Sequence, residues 1–276
     1  MKVKKRLSLI IVFVILVGFS IFYLGPFLWM ILTALKPNSQ IFLYPPKFIP
    51  DPPMFGNFLE AVQTIPFFRY TLNSFLVSVL ATAGALFSCP LAAYSLARLR
   101  WKGRNALFII TLAVMMIPTQ VTMVPLFIVF SKMKLVGTYF PLVLPMFFGV
   151  PYYIFLLRQF FMQLPKSLED AARVDGCSEF QIYLRIMLPL CQPSLLTIGM
   201  FQFVAAWNDF LGPLIYLNND KMYTLQIGLQ QFKQSNAVQW SLLMAAAVLV
   251  ALPIIILYFI AQRQFVEGIT FGGVKG

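Results

Sequence analysis

Six stretches of near-continuous apolar sequence, 7–35, 73–97, 106–130, 140–157, 193–217 and 241–260, leave this chain few ways to fold. Each is close to the roughly 20 apolar residues a helix needs to cross a bilayer. The chain is therefore read as all-α, a polytopic membrane protein with six transmembrane helices. Composition agrees: 60% of the 276 residues are apolar, where soluble domains hold roughly 45–50%, and the mean hydropathy is +0.82.

Basic residues near span ends are retained on the cytoplasmic side, and an even number of spans puts both termini on one side. With the termini inside, the inner segments hold fourteen of the 21 Lys and Arg residues, including Lys2, Lys4, Lys5, Arg6, Arg98, Arg100, Lys102, Arg104, Arg158, Lys166, Arg173 and Arg185. This distribution accounts for the net charge of +12 without nucleic acid, since no basic stripe interleaves with aromatics. Lys2 to Arg6 precede an apolar run longer than a signal core, so the run is read as an uncleaved first span. Cys89, Cys177 and Cys191 lie in span or cytoplasmic sequence, where disulfides are rare. The chain has no histidine, and soft-metal spacings are absent.

No internal repeat or long linker divides the sequence, so residues 1–276 are read as a single transmembrane domain. The outer segment 36–72, with Pro45, Pro46, Pro50, Pro52 and Pro53, is expected to be an irregular external cap. Its Phe55, Phe58, Leu59, Ile65, Phe67 and Phe68 are expected to pack within the chain. Pro118 and Pro125 invite kinks in the third span, which either line a cavity or simply bend a packed helix.

The loop 158–192 is charged and sharply punctuated. Ser167 suits a helix cap with Asp170 as its reciprocal partner, and Glu169 and Asp170 suit the positive end of the helix. Ala171 and Ala172 keep one face small, and Gly176 can take the left-handed conformation that ends helices. The helix so defined is about two turns long. Ser178 and Glu179 open a second helix through Ile182, Tyr183 and Ile186, which Pro189 limits or kinks. By spacing alone the loop is either a docking element or an amphipathic segment on the lipid surface.

In the fifth span, Asp209 follows Trp207 and Asn208 and is the one acid inside an apolar run. It is either a functional intramembrane acid or a capping or paired residue near the outer rim. Trp207 and Tyr216 either stack on a sugar face or anchor the interface. No Gly-x-x-x-x-Gly-Lys-Ser/Thr loop, nucleophile elbow or helical metal-ligand pair occurs, so catalysis and nucleotide hydrolysis are not expected of this chain.

Asp170-Ala171-Ala172, Gly176, Ile186, Leu188 and Pro189 resemble, in fixed register, the coupling loop of ABC-importer permeases: Glu-Ala-Ala, three residues, Gly, nine residues, then Ile-x-Leu-Pro. Asp170 stands where the pattern has Glu, with Glu169 beside it as a substitute. Leu35-Lys36-Pro37, Tyr94-Ser95-Leu96-Ala97-Arg98, Trp207-Asn208-Asp209 and the tail from Gly268 to Gly276 are similar to the carbohydrate branch of that family, the maltose and glycerol-3-phosphate type.

The resemblance implies a non-catalytic membrane subunit of a binding-protein-dependent importer of a carbohydrate or polyol, in a bacterial inner membrane. It implies a second permease subunit in a heterodimer, two cytoplasmic ATPase subunits and an external substrate-binding protein. ATP would be used by the partners, with no cofactor on this chain. Glu169, Asp170, Ala171, Ala172, Asp175, Gly176, Ile186, Leu188 and Pro189 would couple to the ATPases, and Trp207, Asn208, Asp209 and Tyr216 would line the substrate path. The alternative from another class is an ion-coupled secondary transporter using Asp209.

Overall fold

The computed structural model describes residues 2–233 and 238–270, and side chains of 9–233 and 238–262. The end of the glycine-rich tail, 271–276, lies outside them, as do the side chains of Lys2, Lys4, Lys5, Arg6 and Arg263. Among the described residues there is no strand. The helices are α1 (Lys2–Ala34), α2 (Gly56–Thr64), α3 (Phe67–Ala97), α4 (Arg104–Val114), α5 (Thr119–Lys132), α6 (Phe140–Val143) and α7 (Pro151–Gln163). They continue with α8 (Ser167–Val174), α9 (Glu179–Ile182), α10 (Leu188–Leu190), α11 (Gln192–Trp207), α12 (Leu211–Tyr216), α13 (Leu225–Gln231) and α14 (Trp240–Thr270). α14 runs on through Gly268 to Thr270, since one helical glycine costs only about 1 kcal/mol.

Four helical stretches are long and apolar enough to cross a membrane, and six if each of two bent pairs counts as one span. The expected third span, 106–130, is not one helix: α4 and α5 meet at 102°. Pro118 supplies no N–H and disfavours helix at Ile117 before it, so the ladder ends and restarts at Thr119. The fifth span differs too. The helical stretch Glu179–Leu190 meets α11 at 76°, between Pro189 and Pro193, and the chain leaves the helix again before α12.

The fourth span is interrupted by a 3-10 turn at Leu144–Phe148 and by Gly149 at φ +96. It then continues in α7 to Gln163, beyond the expected end at 157. The interruption frees backbone groups that hydrocarbon cannot satisfy, and α3 supplies the partners. The Ser88 hydroxyl donates to the Met146 carbonyl at 2.8 Å, and the Val150 N–H donates to the Cys89 sulfur at 3.2 Å. Close approach there is possible because Gly84 carries no Cβ; one would lie 2.6 Å from the Phe147 ring.

The chain gathers into two compact units, Met1–Phe68 with Gly228–Pro253 and Arg69–Ile227 with Ile254–Gly276. In the first, the Asn57 amide donates to the carbonyls of Ala34 and Lys36 at 2.7 and 3.1 Å, satisfying acceptors at and just beyond the end of α1. The buried Lys36 ammonium sits 4.6 Å from the Trp29 ring centre. The expected packing of the external segment holds for Ile65, which is buried, but Phe55, Leu59 and Phe68 are exposed. The α2 face that turns inward is Asn57 and Ala61, one helical turn apart, leaving Leu59 on the outside. In the second unit a core formed by α3, α7, α8, α9, the π turn Tyr183–Met187 and α11 places the loop after α7.

Candidate coupling site

α8 is eight residues long, the two turns expected. Ser167 is its first helical residue rather than its cap; Lys166 holds the cap position without a side-chain bond. Glu169 and Asp170 lie in the first turn and Arg173 in the last, which suits the helix dipole at both ends. Gly176 follows with φ +82. The Cys177 N–H donates to Ala172 O at 2.9 Å and the Gly176 N–H to Arg173 O at 3.1 Å, closing the helix with a left-handed glycine. A Cβ on Gly176 would touch nothing within 4 Å, so backbone conformation alone selects glycine here. Ser178 then caps α9 in a reciprocal capping box with Gln181.

Helical periodicity divides α8 into two faces. Glu169 and Ala172 are buried against the core, while Leu168, Asp170, Ala171 and Val174, with Asp175 after them, are exposed, Val174 at 88%. The expectation that Glu169 supplies an outward contact in place of Asp170 is therefore corrected. Its carboxylate points inward, where its Oε1 lies 2.9 Å from Arg98 Nε at the end of α3. Asp170 stays on the open face and pairs with Arg173 at 3.0 Å.

Arg173 reaches across the Gly176 turn to Glu179, Nε to Oε1 at 2.7 Å. That bond, with the charges of Glu179, Glu169 and Asp170, raises the Arg173 pKa and keeps the guanidinium charged. Beyond it, Ile186 and Leu188 pack on the core and Pro189 is exposed. The Leu188 N–H donates to Tyr183 O, a π-type bond, and the missing N–H of Pro189 breaks the normal ladder at the same place. An open basin of about 1100 Å³ adjoins α8, with Arg98, Arg100, Arg104, Lys166 and Arg173 in its wall beside Glu169 and Asp170.

The second set of expected residues is differently placed. Trp207 is 1% exposed and stacks on Phe203 at 5.8 Å. Tyr216, 7% exposed, lies against Phe127 and Phe130. Neither ring is open to a sugar or to an interface, because each is already covered by aromatic neighbours. Asn208 is exposed and accepts from the Gln226 amide at 3.3 Å. Asp209 accepts the Gly212 N–H at 3.1 Å, so its carboxylate caps the start of α12. The sequence reading missed Arg98 and Tyr94 as partners of the loop. Arg98 resembled any basic residue flanking a span, and Tyr94, whose hydroxyl donates to Glu179 Oε2 at 3.3 Å, resembled a core aromatic.

Four long apolar helices, or six spans if each bent pair counts as one, define the class as a polytopic helical membrane protein. Residues 84–270 match the family described as binding-protein-dependent transport system inner membrane component. The chain is 36% identical over 279 residues to the arabinooligosaccharides transport system permease protein AraQ of Halalkalibacterium halodurans, covering 99% of this chain and 100% of that protein. It is 34% identical over 254 residues to the sulfoquinovosyl glycerol transport system permease protein SmoH of Agrobacterium fabrum, covering 92% and 89%. Its fold matches a chain of a bacterial ABC transporter involved in the import of the acidic polysaccharide alginate. That match has a TM-score of 0.81 at 23% identity and covers 95% and 98% of the two chains. The chain belongs to the binding-protein-dependent transport inner membrane family and is a non-catalytic permease component.

Proposed function

We propose that this chain is one of two membrane subunits, as a heterodimer, of a carbohydrate importer in a bacterial inner membrane. The relatives named for arabinooligosaccharide and sulfoquinovosyl glycerol transport support a sugar or glycoside as cargo. Two separate ATPase subunits on the cytoplasmic side grip α8, and an external binding protein delivers substrate. The chain itself binds no cofactor. ATP-driven closure moves α8 with the bundle and exchanges the side on which the path is open. The observation that carries this reading is the outer face of α8, where Leu168, Asp170, Ala171 and Val174 are exposed on a helix braced from behind. Small Ala171 allows close approach, and Gly176 with Asp175 sets the turn that follows.

The test is purification of the tagged chain from its native membrane, with identification of retained subunits and an ATPase assay. A second permease and an ATPase should be retained, and both the ATPase subunit and the activity should be lost on Asp170→Arg with Val174→Asp. A lone chain without ATPase would overturn the reading.

A further inference from the structure

Resting on the importer reading above, we infer that the buried Arg98–Glu169 pair fixes the coupling helix to the second span, so that α8 and α3 move as one body. Arg98 is in this sense a positioning residue: it acts through the helix it holds and touches neither cargo nor nucleotide.

Arg98 is the first residue beyond α3, and its N–H still bonds Tyr94 O at 2.9 Å, so its backbone moves with that helix. Its side chain is 4% exposed, and that of Glu169 is 5%. A second arm of the guanidinium donates to Leu164 O at 2.7 Å, at the end of α7. One side chain thus joins the ends of three elements: α3, α7 and α8. Nε and Oε1 meet at 2.9 Å, but the N–H is not aimed along the oxygen, and neither atom has an aligned hydrogen bond. Burying two charges is costly, and a pair without good hydrogen bonds recovers that cost poorly. Stability alone is a weak reason for such a pair, whereas fixing a register is the best-attested use of buried ionic groups.

The rest of the contact explains why a polar tie is needed. Ala172, the other inward residue of α8, is a single methyl against the core. Apolar contact is non-directional, so a methyl resists lifting but gives little resistance to sliding along α3. The ion pair adds a fixed point, and Tyr94 with Glu179 adds a weaker second one at 3.3 Å. α11 follows the loop in sequence but is separated from it by the 76° bend near Cys191. A push on α8 thus reaches the membrane through α3, a helix of 31 residues, alongside α7, which leads into α8 in the chain.

The experiment uses the complete purified complex with spin labels at Leu76→Cys on α3 and Lys166→Cys beside α8, in a Cys177→Ser background. The distance between labels and the ATPase rate are read with and without ATP and vanadate. With Arg98 and Glu169 present, the distance is expected to stay fixed while ATP is hydrolysed. In the neutral double variant Arg98→Met with Glu169→Leu it is expected to shift or broaden on ATP addition, and Arg98→Lys alone should restore the fixed distance.

An unchanged distance in the neutral double variant would overturn the inference, as would a distance that already shifts on ATP with the native pair. Failure of both Arg98→Lys and the double variant to assemble would also overturn it, because the pair would then serve folding. Absence of ATPase activity from the complex carrying native Arg98 and Glu169 would instead sink the importer reading itself.

Discussion

The loop from Ser167 to Pro189 and the stretch from Trp207 to Tyr216 both hold charged or aromatic residues amid apolar sequence, yet they are used in opposite ways. In the loop, a glycine turn and the capping box that follows it hold one helix with its outer side chains exposed. In the second stretch the aromatic side chains are covered and the acid caps α12. The loop is built by backbone rules that leave a surface open, and the other stretch is built by side-chain packing that closes one. Residue type alone cannot separate the two cases; what covers the residue does.

Trp207→Ala should produce the largest effect. It is expected to cost about 3–5 kcal/mol in thermal or denaturant unfolding of the purified chain, with cargo preference unchanged. A selective loss of cargo affinity at full stability would put the ring back in the substrate path and erase the contrast. Val174→Asp should leave the stability of the chain unaltered, since the side chain is 88% exposed. It should weaken retention of the ATPase at least about tenfold, a loss of about 1.4 kcal/mol, measured by titrating the two purified components.

Gly176→Ala meets no neighbour within 4 Å and should cost about 1–2 kcal/mol, the strain of a Cβ in the left-handed region. Amide exchange at Cys177 should rise with it. Smallest is Asp209→Asn, within a few tenths of a kcal/mol because Asn caps as well as Asp. Uptake should persist and stay insensitive to an ionophore; loss of an ion-dependent component would revive the secondary-transporter alternative.

The parts of this chain legible in advance were those set by local chemistry. Gly176 declared a left-handed stop, and Ser178 a helix start. The apolar runs marked where helices lie, but a hydropathy sum adds along the sequence and is blind to direction. Hence 106–130 read as one span although Pro118 turns it through 102°. Ser167 was misplaced by one position because Lys166 takes the cap without any side-chain bond. Glu169 was read correctly as helix and wrongly as surface, since its inward turn depends on an arginine 71 positions earlier. Tyr216 failed for the same reason, its covering rings lying on α5. Pairings of this kind belong to tertiary structure, and no spacing within one segment reports them.

The interrupted fourth span has a consequence for how the chain is made. A segment entering lipid with the Met146 carbonyl and the Val150 N–H unpaired would carry a penalty of several kcal/mol for each. It is therefore less favourable alone in lipid than an uninterrupted apolar helix. Its partners, Ser88 and Cys89, lie on α3 and are synthesised first. The broken segment is thus matched to a helix that precedes it in the chain, and the freed groups at Met146 and Val150 find their partners in register beside α3.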